Sequence, residues 1–176
     1  MATRSLLDPP PQQIFVLDAG AVIRVKNLVR VDEQWEILDT MMSCVRSGEM
    51  CFPRQVATEL SDLKFPDAPG AWAGHAKSLI CHREPQDECV ARVLSSTPDL
   101  IDPDATGPEP ADPYVVAMAL DLVSLYPVSR VLVASDDKVD RPPLRMSVKT
   151  ACARLDIDFR EPEELIGWVR ERLASG

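Results

Sequence analysis

Apolar residues in this chain of 176 come in short bursts and helical stripes, never in one long run. The first burst, IFVLD over residues 14–18, is rich in strand formers. It ends on an acid and lies between a proline arm and a glycine. That pattern predicts a central parallel strand. AGAVIRVKNL, which follows, predicts a short helix or turn. Over 32–47, Trp35, Leu38, Met41, Met42 and Val45 recur at spacings of three and four. This predicts a helix opened by Asp32 and closed at Ser47-Gly48. MCF at 50–52 predicts a second strand. Pro53 then opens a helix through Leu60, with Val56 and Leu60 on its inner face and Glu59 nearer its edge. Further helices are predicted over 68–81 and 86–95, and the proline- and aspartate-rich stretch 96–111 predicts a long surface loop.

The second half repeats the alternation. Asp112 followed by Pro113 predicts an N-cap and first helical position for a helix over 111–126, its buried face built from Val116, Ala119, Leu120 and Val123. RVLVAS at 130–135 predicts a strand with Asp136 and Asp137 at its carboxyl end. Helices are expected over 144–154 and 162–173, with a last short strand at 157–159. Strands alternating with helices imply a parallel sheet covered on both faces, an α/β class in which ligands bind beyond the carboxyl ends of the strands. Residues 1–13 are expected to form a flexible arm, and 14–176 a single domain.

Composition narrows the function. No apolar stretch approaches the length of roughly 18 residues that a membrane span needs, and MATRSLLDPPPQQ lacks the apolar segment of a secretory signal. Five cysteines, at 44, 51, 81, 89 and 152, include no CxxC pair. They suit buried thiols in a reducing cytoplasm. His75 and His82 have no acid at an obvious ligand spacing and are assigned no chemistry. Trp72 and Trp168 are expected to anchor the core. A net charge of −9 argues against a broad basic nucleic-acid face, although grouped carboxylates around a metal invert the local field.

Four acids fall where such a fold concentrates ligands: Asp18 and Asp136 at strand ends, Asp112 at a helix start, and Glu59 on a helix edge. Crowded carboxylates repel one another, and a divalent cation removes that cost. Mg2+ or Mn2+ prefers such oxygen donors and suits phosphodiester hydrolysis. Asp137 is a neighbouring candidate ligand. Ser135 is a candidate contact for a phosphate or a metal-bound water. Arg24, Lys26, Arg54, Arg141 and Arg145 are candidate contacts for a nucleic-acid backbone, with Arg24 and Arg145 favoured. Glycine-rich phosphate loops are absent, and Gly20 stands where a haloacid-dehalogenase-type phosphatase needs its second acid.

These segments together resemble the PIN domain superfamily, and most closely its DUF4411 branch, related in fold to VapC-type toxin ribonucleases. FVLDAGAVI is similar to the opening strand with its first acid, Asp18. GEMCFPRQVATEL is similar to the strand and helix carrying the second, Glu59. ADPYVVAMAL carries the third, Asp112, and VLVASDD the fourth, Asp136. The resemblance spans about 14–173. It implies a three-layer α/β/α sandwich, Mg2+- or Mn2+-dependent cleavage of RNA, a toxin role with a small antitoxin partner, and homodimers. The chain departs from the pattern at Gly20, where the family carries Asn, Ser or Thr, and at Ala134, where it carries Thr. A second reading is therefore a non-catalytic PIN-like module that binds a protein or RNA. A third is a metal-dependent enzyme acting on DNA flaps or a nucleotide. The exposed face of the 32–47 helix is a candidate partner surface.

Overall fold

The computed structural model describes residues 9–61, 67–80, 82, 84–104, 106–143 and 145–175. Strand β1 (Gln13–Leu17) is followed by two short helices, α1 (Ala19–Ile23) and α2 (Val25–Leu28), and by α3 (Gln34–Ser47). Strand β2 (Met50–Cys51) leads into α4 (Arg54–Ser61), α5 (Ala68–Ala76) and α6 (Asp87–Ser96). A single 3-10 turn at Pro98–Leu100 interrupts the long loop before α7 (Asp112–Leu125). The chain closes with β3 (Arg130–Ala134), α8 (Val148–Arg154), β4 (Asp158–Arg160) and α9 (Pro162–Ser175).

The four strands form one parallel sheet in the order β2-β1-β3-β4. Helices cover both faces, giving the three-layer α/β/α sandwich expected from the alternation. Strand periodicity explains the layering. Phe15 meets the Trp168 ring of α9 edge-on at 5.1 Å, while α7 packs along β1 and β3 and carries α6 and α8 with it. Helix α3 lies with α9. Ile14, Phe15, Val16 and Leu17 are all buried. A strand buried on both faces is continuously apolar, which is why IFVL does not alternate.

From β1 the chain adds β2 on one side, then crosses back to add β3 on the other. Strand order therefore reverses between β1 and β3. Such a switch point leaves a crevice outside the carboxyl ends of the two strands. Register places Leu17 opposite Ala134, so Asp18 and Ser135 leave the sheet side by side.

Several local expectations shift, each for a physical reason. Asp32 does not cap α3. It pairs with Arg30, Glu33 takes the cap position, and Trp35 at the second helical residue is 64% exposed. Gly48, at φ 79°, adopts the left-handed conformation that ends α3, as Ser47-Gly48 implied. Helix α5 stops at Ala76, and Cys81 lies outside the described residues. Val123 is exposed and lies off the buried face of α7. The helix expected from residue 144 starts at Val148, where Ser147 accepts the Thr150 amide and caps it. The arm expected over 1–13 is described from Pro9. Ser129 Oγ donates to the Pro11 carbonyl at 2.6 Å and the Arg130 amide to Gln12, tying it to the start of β3. Trp72 is buried against Phe52, and Cys44, Cys51 and Cys152 are buried. No helix among the described residues is long and apolar enough to cross a membrane.

Leu132 lies at the middle of β3 and is 1% exposed. Leu132→Ala is expected to destabilise the fold by about 3 kcal/mol. Chemical denaturation, followed by circular dichroism, measures this directly.

Candidate metal centre

Asp18 is the first residue beyond the carboxyl end of β1 and is buried. One carboxylate oxygen accepts the Ala19 amide at 2.7 Å, which caps α1. The other accepts the Ser135 hydroxyl at 2.6 Å. Its own amide donates to the Ala134 carbonyl at 2.9 Å, continuing the sheet ladder by one step. Ser135 was a candidate phosphate contact, but its hydroxyl is wholly buried and turned inward. Besides donating to Asp18 it accepts the Asp137 amide at 3.0 Å. It therefore holds two acids in place, and supplies the polar group whose loss Ala134 suggested.

Gly20 has a similar explanation. A Cβ added there would lie 2.8 Å from the Asp136 Cγ, with Oδ1 closer still. The missing side chain is a cradle for the Asp136 carboxylate, which leans over the first turn of α1. Gly20 thus leaves room for Asp136.

Glu59 projects from α4 toward the loop before α7, and its Oε1 accepts the Ala111 amide at 3.0 Å. The acid fixes the start of α7 and, with it, Asp112. Gln55, one helical turn earlier, donates to Glu109 at 3.4 Å, and Tyr114 donates to the same carboxylate. Asp112 itself is the first helical residue, with Ala111 at the cap and Pro113 second. The expected N-cap is therefore displaced by one residue. The Asp112 side chain does not cap its own helix but accepts from Arg145, whose Nη2 also donates to Asp137 at 3.0 Å. Asp137 further accepts the Val148 amide at 3.1 Å.

Several of the acids raise one another. Burial raises the Asp18 carboxyl to about 7; Asp112 adds to the rise, the Ser135 hydrogen bond opposes it, and Glu59 raises it further. Burial likewise raises Glu59, partly offset by the Ala111 amide, with Asp112 raising it again. Burial raises Asp112 against the opposing pull of Arg145, and Asp137 and Asp136 contribute to the rise. Burial would lower Arg145, but Asp112 and Asp137 outweigh it and hold the guanidinium more firmly charged. Among the described residues, no three acidic, histidine or cysteine side chains close around one point at metal-ligand spacing. The acids share the crevice, with the Arg145 guanidinium between Asp112 and Asp137.

The other basic candidates lie elsewhere. Lys26 pairs with Asp67 at 2.7 Å and Arg54 with Glu84 at 3.4 Å. Arg141 is exposed and exchanges backbone hydrogen bonds with Arg145. Arg24 follows α1 with its Nε buried and without a hydrogen-bond partner.

No protein-family model and no curated protein matches the chain.

One pairing escaped sequence reasoning altogether. His82 Nε2 lies 2.7 Å from Asp121 Oδ2, and Asp121, 2% exposed, also accepts the Gln86 amide at 3.3 Å. It clamps the segment before α6 onto α7. The partners are 39 residues apart, so no local spacing signals them.

The donor set is entirely oxygen, the charge is under-compensated, and Gly20 leaves a place for one carboxylate. Those features fit a hard divalent cation. Two outcomes are expected. The unfolded Asp18 carboxyl ionises near its ordinary 3.8, whereas the folded one holds its proton up to about 7. The folded state binds the extra proton, so Asp18 costs stability progressively as pH rises through that window. Melting temperatures of wild type and Asp18→Asn should diverge in favour of the variant between those pH values, and saturating Mn2+ should reverse the divergence. A constant difference across the window would contradict the buried-acid account. In Gly20→Ala, the helical alanine should leave stability unchanged or up to about 1 kcal/mol higher, while displacing Asp136 and weakening Mn2+ binding by about tenfold. Calorimetric Mn2+ titration beside thermal melts separates the two effects.

Proposed function

We propose that this chain is a divalent-metal-dependent ribonuclease of the PIN-like kind, hydrolysing RNA phosphodiester bonds at the acidic crevice. The observation that supports this reading is the placing of Asp18 and Asp136 beyond the strand-order switch point, with Asp112, Glu59 and Asp137 near enough that burial and neighbouring acids raise Asp18 and Asp112. Buried acids with raised pKa values beside one another are candidates for a functional site. Bound Mg2+ or Mn2+ supplies polarisation of a phosphate oxygen and a water acidified for attack.

The chain's own groups have distinct roles in this reading. Asp18, Asp112, Asp136 and Asp137 would hold the metal. Ser135 keeps Asp18 oriented through its 2.6 Å hydrogen bond. Glu59 positions Asp112 through the Ala111 amide and faces the same space. Arg145 pairs with two of the acids and has the planar fork that suits a phosphate. A toxin role, a small antitoxin and a homodimer follow from the family resemblance alone.

One observation favours a second reading, a non-catalytic module for RNA or a protein. Arg145 already engages two of the acids, and no three of the described acids close around a point.

Incubation with single-stranded and structured RNA distinguishes them. Cleavage is expected with Mn2+, and should fall by about a hundredfold or more in chelator and in the Asp18→Asn, Asp112→Asn double variant. Cleavage that persists in either would sink the metal mechanism. RNA or protein binding without cleavage, in any metal, would select the module.

A further inference from the structure

Arg145 enters the crevice from outside the regular elements. Its backbone belongs to the turn between β3 and α8, where the Arg141 amide donates to the Arg145 carbonyl at 2.8 Å and the Arg145 amide returns the bond at 3.1 Å. The next residue, Met146, is buried, and its amide donates to the Asp99 carbonyl. The turn is thus pinned, while the arginine side chain spans from it to the acids and keeps 24% of its surface in solvent. One guanidinium nitrogen, Nη2, serves Asp112 from the start of α7 and Asp137 from the loop after β3. A terminal guanidinium nitrogen carries two hydrogens, so both are used in bridging.

The chain therefore places a monovalent cation of its own among acids that suit a divalent one. Asp137 uses the same oxygen, Oδ2, to accept Arg145 and the Val148 amide. A metal held through the same Oδ2 atoms of Asp112 and Asp137 would need the lone pairs that now accept Arg145. Two cations that close repel one another.

We propose that Arg145 is an internal counter-ion that competes with the divalent metal for Asp112 and Asp137, and that metal binding turns its guanidinium outward onto a phosphate of the bound RNA. This rests on the metal-dependent reading above. Without metal, the arginine offsets the repulsion of the acids and allows the crevice to fold. With metal, the acids are neutralised, and the released guanidinium finds its best anion in the substrate backbone, which its planar fork matches. One residue thus weakens metal binding and strengthens RNA binding.

That opposition of sign is the test. Mn2+ is titrated calorimetrically into wild type, Arg145→Gln and Arg145→Lys. A 2′-O-methyl RNA oligonucleotide, which resists hydrolysis, is then bound at saturating Mn2+ and followed by fluorescence anisotropy. Arg145→Gln is expected to bind Mn2+ about tenfold tighter and RNA about tenfold weaker. Its melting temperature should be lower without metal and should rise more than that of wild type on adding Mn2+. Arg145→Lys keeps the charge without the fork and should fall between the two on both titrations, which guards against a glutamine variant that merely folds badly. If wild type binds Mn2+ and Arg145→Gln binds it no tighter, the competition is overturned while the metal-dependent reading stands. An unchanged RNA affinity overturns the outward turn. If neither protein takes up Mn2+, both readings fall.

Discussion

The parallel pairing of β1 with β3 is the contact on which the acidic crevice depends. Because Leu17 faces Ala134, the next residue of each strand leaves the sheet at the same level, and Ser135 meets Asp18. The same serine accepts the Asp137 amide and so sets the path of the loop beyond β3. That path carries Asp136 over α1, where Gly20 gives it room. A one-residue slip would send every side chain of β3 to the opposite face and separate these groups. Burial of both strands on both faces makes such a slip costly.

The crevice gathers like charges, and the fold must offset their repulsion. Hydrogen bonds do part of this: Asp18 accepts two, Glu59 accepts the Ala111 amide, and Asp137 accepts Val148. Arg145 supplies the only charge-neutralising partner described for Asp112. Even so, Asp18 keeps its proton to about 7. A structural role alone would be served better by serine or asparagine, which cap and bridge without such a cost.

Two apparent defects of the acidic pattern become intelligible in three dimensions. Gly20 and Ala134 each lack a side-chain oxygen. The neighbouring Ser135 provides one, and the absent side chain at Gly20 provides space instead. Polar groups around a metal need to reach the ligands, not to occupy a particular place in the chain.

The sequence by itself determined the class of fold, the parallel sheet, and the placing of acids at strand ends. These follow from short apolar runs, helical spacing and proline or glycine boundaries, all of which are local properties. The same local signals misplaced the cap of α7 by one residue and began α8 too early, because Ala111 is held by Glu59 from 52 residues away and Ser147 by Asp140 across a turn. Only the tertiary structure decided that Ser135 supports an acid rather than touching solvent, that Gly20 makes room for Asp136, that Asp121 meets His82, and that Arg145 lies between Asp112 and Asp137. Each of those depends on residues brought together by strand order and register, and neither spacing nor composition carries that information.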